Sequence, residues 1–481
     1  MRFLELIKDL GGTRTGPPEN PEILRLVQDA REVRPGDAFL ARRGHSTDGH
    51  GFVEEAVHRG AVALMVERPV PPWTDRLPTW IHPHLRLHMC TLNRRITGNP
   101  DTALTLIGVT GTNGKSTTTT LIHHLLRSMG KRGGLLGTVE YRDARDHVSP
   151  SRWTTPESTD LFPFLHTVRE QGGTFVAMEV SSHALAEHRV ACLTFSYGVF
   201  LNLTREHLDY HGTLEAYADA KARLMRQSRV SVIHRGSPWA ARMARAAQGE
   251  VVFFGGRVPG IRVRLVRPTL RGTWMDIQGR RVFFPHVGTF HRENVGAALT
   301  VLRHMGCPWP PLLRGLRTFP GVPGRMERFL GPGDRYAFVD YAHTPDALER
   351  ALRTLRVLTP GELWVVFGAG GDKDRGKRPM MGTVADRWAD RVILTMDNPR
   401  SEPLSQINAQ IRQGMRHVPL EIKDRAEAVR YALQHLPPHS VVLIAGKGHE
   451  DYQEVQGVRY PYRDQSVVEA AGWKRDRPEF P

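Results

Sequence analysis

The chain predicts an α/β protein of three domains, and three observations carry that prediction. At 481 residues it is long for one hydrophobic core, so several domains are expected. From Leu104 to about Gly324, short apolar runs alternate with helical stretches, the pattern of a mainly parallel sheet covered on both faces. After Gly324 the pattern restarts with its own strands. The expected boundaries are 1–98, 99–325 and 326–481.

In the first hundred residues, Asp37 to Arg42 and Ala61 to Glu67 read as strands, with Phe52 to Arg59 a helix between them. The loop Arg43 to Gly51, RGHSTDGHG, is glycine-rich and polar, which suits a ligand or a plain turn equally. Pro69 to Pro83 is proline-rich and is expected to loosen the chain.

The central domain opens on Leu104 to Thr120, LTLIGVTGTNGKSTTTT. An apolar run breaks into a glycine turn ending in Gly114, Lys115 and Ser116, followed by a helix through Leu121 to Leu126. This is a phosphate cradle. Gly111 and Gly114 let backbone N–H groups approach an anion, a helix N-terminus adds partial positive charge, Lys115 reaches outer phosphates and Ser116 can ligate Mg²⁺. The strict G-x-x-x-x-G-K-[ST] pattern would place its first glycine at Val109; here the glycines stand at Gly108 and Gly111. Two further apolar runs, Thr174 to Val180 and Tyr197 to Leu203, end in polar residues, where ligands collect in open α/β sheets. Glu179, at the end of the first, stands where a phosphate-loop site holds Mg²⁺. His207, Asp209 and His211 follow the second, in a polar loop or strand that can also supply a metal ligand. Lys221 falls on the same helix face as Leu214, Tyr217 and Leu224, and a lysine there is unfavourable unless paired, extended to solvent or chemically altered.

In the third domain, strands are expected at Tyr336 to Asp340, Leu363 to Phe367, Arg391 to Met396 and Val441 to Ala445, with a helix over Pro345 to Leu358. This gives a Rossmann-like unit. Its strand ends carry Asp340, the anion-nest turn Ala369 to Pro379, the proline-stiffened DNPR (Asp397 to Arg400) and GKGHE (Gly446 to Glu450). Arg400 can grip a carboxylate at two points, and Glu450 suits an ammonium group.

The formal charge of +16 is spread along the chain rather than gathered into one tract with interleaved aromatics, so anionic small substrates fit better than nucleic acid. Arginine supplies most of it. Lysines concentrate in the motifs, at Lys115, Lys221, Lys373, Lys377 and Lys447. No run is apolar enough to span a bilayer and MRFLELIKDL has no secretory pattern, so the cytosol is the expected compartment. The three cysteines, Cys90, Cys192 and Cys307, are widely spaced and odd in number, which argues against a disulfide framework or a cysteine zinc site.

Taken together, GVTGTNGKSTTTT, TTPES, MEVSSHAL, LNLTREHLDYHGTLEAYADAKARLM, GRMERF, VDYAHTPDAL, FGAGGDKDRGKRP, DNPR and GKGHEDYQ resemble the Mur ligase family nearly end to end. The resemblance implies an ATP-dependent, amide-forming, ADP-releasing ligase of peptidoglycan synthesis. Its implied reaction adds a diamino acid, meso-diaminopimelate, to the D-Glu of UDP-N-acetylmuramoyl-L-Ala-D-Glu through an acyl phosphate. It implies that Gly111, Thr112, Asn113, Gly114, Lys115, Ser116 and Thr117 hold the ATP phosphates, and that Asn294, Arg325 and Asp340 contact adenosine or phosphate. Ser116, Glu179, His207 and a carbamylated Lys221 hold Mg²⁺ in that scheme, with Lys115, Glu179, His207 and Lys221 as the catalytic set. His45, Ser46, Thr47, Thr154, Thr155, Ser181, Glu187 and Arg189 match the UDP-muramoyl-dipeptide positions. Arg378, Asp397, Asn398, Pro399, Arg400, Gly446 and Glu450 match the amino-acid positions. A monomer is expected, with no nucleic acid partner.

The chain departs from the family pattern at Ala30 (commonly serine), Glu187 (glutamine), Glu206 (aspartate) and His291 (asparagine), and SEP follows DNPR one acidic residue short of the longer form. These departures leave L-lysine and L-ornithine as alternatives to diaminopimelate. A folylpolyglutamate synthase-like ligase would lack the DNPR and GKGHE pair. A non-catalytic UDP-sugar-binding regulator would have lost Lys115, Glu179 or Lys221.

Overall fold

The computed structural model describes residues 1–44, 47–256 and 260–476. The chain divides into two compact units, Met1–Gly260 with Thr300–His304, and Ile261–Leu299 with Met305–Pro481.

The first unit contains two sheets. The N-terminal one has five strands in the order Thr13–Thr15, Thr79–Ile81, Ala63–Val66, Ala38–Ala41, Leu26–Val27, all parallel except the first. Both expected strands and the helix Val53–His58 between them are present. The proline-rich stretch differs from expectation: Thr79–Ile81 within it is a paired strand, because Trp80 packs into the core and its indole N–H donates to the carbonyl of Gly11 at 2.7 Å.

The second sheet has eight strands. Thr105–Thr110 lies inside it, between Phe195–Phe200 and Phe175–Glu179, and all three run parallel. The strand is buried on both faces, which explains its unbroken apolar run. Gly108 belongs to packing rather than to the loop: a Cβ there would lie 2.9 Å from the Phe195 ring and 3.1 Å from Leu224. The helix Leu214–Arg226, which carries Lys221, starts at Thr213, whose hydroxyl accepts the N–H of Ala216 at 3.1 Å.

One expectation is overturned in this unit. Cys90, on the helix Leu85–Ile96, and Cys192 form a disulfide with Cα atoms 5.6 Å apart across 102 residues of sequence. Spacing could not reveal a pair that only the fold brings together. Cys307 is free and buried.

The second unit holds a seven-stranded sheet in the order Leu420–Glu421, Arg391–Leu394, Leu363–Phe367, Val441–Ala445, Arg335–Asp340, Glu327–Gly331, Lys474–Arg475. The first five are parallel, and Glu327–Gly331 runs antiparallel to both its neighbours, Arg335–Asp340 and Lys474–Arg475. The helix Pro345–Leu358 matches its expected span. Thr344 caps it, and proline at the first position loses no hydrogen bond there. Apolar clusters built on Leu352 and on Val429 cover this sheet. The unit also contains an antiparallel sheet, Val263–Thr269, Gly272–Ile277 and Arg280–Phe284, in a region expected to alternate strand with helix. Short turns at Leu270–Arg271 and Gln278–Gly279 join it, and two-residue turns make antiparallel hairpins rather than crossovers.

No helix among the described residues is long and apolar enough to cross a membrane.

Candidate active site

The phosphate loop runs from the end of Thr105–Thr110 into the helix Lys115–Ser128. Gly114 adopts φ +88° at the helix start, a left-handed conformation that favours glycine. Asn202, at the end of the neighbouring strand, shapes the loop. Its Oδ1 accepts the N–H of Asn113 at 2.9 Å, its Nδ2 donates to the Asn113 carbonyl at 3.0 Å, and its own carbonyl accepts from Thr112. The Lys115 ammonium donates to the carbonyls of Gly111 and Thr112, both at 2.9 Å, and is thereby held over the loop. Ser116 and Thr117 are buried in the first helical turn.

The metal-type residues lie in the same unit. Glu179 is buried, and its carboxylate accepts the N–H of Thr138 at 2.8 Å and its hydroxyl at 3.1 Å. His207 has φ +56° and begins the short helix Leu208–His211, so HLDYH is helical rather than loop or strand. Burial pushes its imidazole down to about 4, with His183, Lys115 and Lys221 adding to the effect, so the ring is neutral and can ligate. Glu206 lies 3.7 Å from its Nε2. Lys221 is 1% exposed and has the Tyr217 ring 4.5 Å from Nζ, but no hydrogen-bond acceptor among the described residues. Burial first, and the charge of Lys115 second, push its pKa well down. No group of three His, Cys, Asp or Glu side chains among the described residues is placed to hold a metal. The implied set needs only two of those types, because serine and a carbamate complete it.

Thr155 ties the end of the Glu179 strand to the dipeptide positions: its hydroxyl donates to the Glu179 carbonyl at 2.9 Å and accepts the N–H of Ser181 at 2.9 Å. Ser181 caps the helix Ser182–Ala186, and the Thr154 hydroxyl lies 3.1 Å from that of Thr138. Arg189 lies against Trp153, donates to the Thr155 carbonyl and pairs with Glu187 and Glu157. The sequence reading missed Arg86. It donates to the Glu187 carbonyl at 2.8 Å, pairs with the Glu187 and Glu157 carboxylates, and has a buried Nη1 without a partner among the described residues. An arginine in the helix Leu85–Ile96 carries no local signal of a partner a hundred residues on. Thr47 accepts the N–H of Gly44 at 2.8 Å; His45 and Ser46 lie outside the described residues. Ala30 is buried and offers no hydroxyl.

The second unit gathers the remaining residues. Asp340, at a strand end, accepts N–H groups from Met326 at 2.7 Å and Ala342 at 2.9 Å, while burial raises its pKa. Arg325 stacks 4.5 Å from the Tyr341 ring, with a buried Nε that has no hydrogen-bond partner among the described residues. Asn294 is buried on the helix His291–His304. His291, on the same helix, sits among Phe284 and Phe290, where burial keeps its ring neutral.

The structure brings Asn398, Arg400, Gly446 and Glu450 to one sheet edge. Arg400 donates to the Gly371 carbonyl at 2.7 Å, and Glu454 lies 3.5 Å from its Nε. Gly446, at φ +110°, leaves room for Asp397, whose Oδ2 would be 2.5 Å from a Cβ there. Arg378 lies in the helix Lys377–Trp388. It is fully enclosed and spends its guanidinium on Glu402 at 2.9 and 3.0 Å, Gln410 at 2.7 Å and the Gly370 carbonyl at 2.9 Å. It ties the Gly370 turn to Glu402 and Gln410, beyond Pro399.

Family models match the chain in three segments: the Mur ligase family catalytic domain at 23–73, the Mur ligase middle domain at 109–302 and the Mur ligase glutamate ligase domain at 324–448. The UDP-N-acetylmuramoyl-L-alanyl-D-glutamate--2,6-diaminopimelate ligase of Geobacillus kaustophilus is 39% identical over 98% of this chain and 99% of its own. The chain belongs to the Mur ligase family. The ligase of the same name from Haemophilus influenzae is 37% identical over 93% of this chain and 96% of its own. A solved structure of a ligase of that name aligns with a TM-score of 0.69 at 34% identity, covering 98% of both chains. The three-domain α/β fold is therefore that of the Mur ligases, an ATP-dependent, amide-forming family.

Proposed function

We propose that the chain joins meso-diaminopimelate to the D-Glu of UDP-N-acetylmuramoyl-L-Ala-D-Glu, with cleavage of ATP to ADP and phosphate, in the cytoplasm. Residues 1–98 take the UDP end, 99–325 the ATP and 326–481 the diamino acid. The D-Glu carboxylate attacks the γ-phosphate, and the amine of the diamino acid then attacks the acyl phosphate and releases phosphate. Lys115 stabilises charge on the transferring group.

Ser116, Glu179, His207 and the carbamate of Lys221 fit Mg²⁺, because the ring of His207 is neutral and the buried amine of Lys221 lacks an acceptor among the described residues. Mg²⁺ bound there offsets the repulsion between two anions. Lys221 gains its carboxylate when neutral Nζ attacks CO₂, forming an N–C bond and releasing a proton.

The observation that carries the amino-acid half is that one turn, Asp397 to Arg400, brings the Arg400 guanidinium and, through Asn398, the Glu450 carboxylate to one sheet edge; together they suit the carboxylate and ammonium of a second amino-acid centre. The test is to incubate the protein with ATP, Mg²⁺ and the UDP-muramoyl dipeptide, offer diaminopimelate, L-lysine and L-ornithine separately, and weigh the products. Tripeptide from diaminopimelate is expected. No tripeptide from any of the three would sink the reading.

A further inference from the structure

Lys447 sits in the middle of the GKGHE turn, and the reaction proposed above gives it no role. Its side chain is completely enclosed, at 0% exposed. An ammonium in such a place is unfavourable unless its hydrogen bonds are met by good acceptors. They are: Nζ donates to Oδ1 of Asn398 and to Oε2 of Glu450, both at 3.0 Å, and the Tyr452 ring lies 5.5 Å away.

Asn398 closes the triangle. Its Nδ2 donates to the same Oε2 of Glu450 at 2.9 Å, and its Oδ1 also accepts the N–H of Glu454 at 2.9 Å. Both donors therefore fall on one oxygen of the carboxylate. Oε1 accepts neither of these bonds, on a side chain that is 19% exposed. Two residues 49 positions apart, Asn398 and Lys447, thus hold the Glu450 carboxylate by one oxygen and leave the other open to a ligand.

We propose that Lys447 is a positioning residue that sets selection for a second amino group. By fixing Oε2 it presents Oε1 as an immobile acceptor for the distal ammonium of the amino-acid substrate. The inference rests on the diamino-acid ligase reading. A glutamate left free would have to be ordered when substrate binds, and that ordering would weaken the contact. Lysine suits the place because its compact ammonium can donate in separate directions within a closed space, whereas the wide planar guanidinium of arginine cannot. The enclosed Asp397 carboxylate, against Gly446 on the same edge, adds negative charge that offsets the approach of a second cation.

The test compares diaminopimelate with 2-aminopimelate, which keeps the distal carboxylate and lacks the distal ammonium. In Lys447→Met, KM for diaminopimelate is expected to rise roughly 10- to 100-fold, the scale of a lost charge-assisted contact. Its kcat and the KM for 2-aminopimelate should stay within about threefold of wild type, well inside that scale. The preference between the two should collapse to that of Glu450→Gln, and the double variant should lose no more than Glu450→Gln alone. Lys447→Gln keeps a polar head in the enclosed space and is measured alongside, with thermal melting of each variant, so that a poorly folded Met variant does not close the question. Equal losses with both amino acids in a folded variant, or an unchanged preference, would overturn the inference while leaving the ligase reading intact. Failure of the wild type to use any diamino acid would overturn both.

Discussion

At Lys221 the amine is enclosed by the helix Leu214–Arg226 and its neighbours, with Tyr217 beside it, and burial first and the charge of Lys115 second push its pKa well down, toward the neutral form. A neutral amine is the form that reacts with CO₂. Lys221→Ala is expected to lower ligase turnover roughly 1000-fold, the scale of a lost metal-held charge, and bicarbonate should not restore it. Full activity in that variant would exclude the carbamate. Glu402 gives a pH-dependent case. The Arg378 guanidinium holds its carboxyl down to about 2 against an ordinary 4.5, so on acidification the unfolded chain takes up the proton first. The stabilisation is complete above about pH 4.5 and fades as pH falls toward about 2. Glu402→Gln should melt below wild type at neutral pH, with the gap closing across that window; a gap constant with pH would remove the pair from the account.

Two glycines in one strand-loop-helix element separate packing from the proposed phosphate site. Gly108 faces Phe195 and Leu224 in the sheet, whereas Gly114 turns the chain at φ +88° to present backbone N–H groups. Gly108→Ala is expected to destabilise by about 1–3 kcal/mol through overpacking, with KM for ATP little changed. Gly114→Ala strains the loop itself, by about 1–3 kcal/mol, and should raise KM for ATP. Denaturant melts and nucleotide titrations on both variants check this, and the reverse pattern would reassign the two glycines. The element was readable because its parts follow one another: an apolar strand, a glycine turn and a helix within seventeen residues, Leu104 to Thr120. The antiparallel sheet Val263–Phe284 was not, since partly exposed short strands carry a weaker pattern than buried ones.

For the molecule as a whole, the Cys90–Cys192 bridge closes a long stretch of chain, and the chain-entropy model assigns such a loop about 4–5 kcal/mol. Thiol titration in denaturant should find one free thiol before reduction and three after, and reduction should lower the melting temperature. Three thiols before reduction would remove the bridge. By itself the sequence determined the α/β class, the phosphate loop, the strand ends that carry Glu179 and Asp340, and the DNPR and GKGHE turns. All of these are local, since a strand end and its following turn are written in consecutive residues. Tertiary structure alone decided which distant side chains share a site. Arg378 turned inward to Glu402, Arg86 reached Glu187, Cys90 met Cys192, and Lys447 with Asn398 immobilised Glu450. Each pairing depends on the path of the whole chain, and a buried charge takes whichever partner that path leaves within reach.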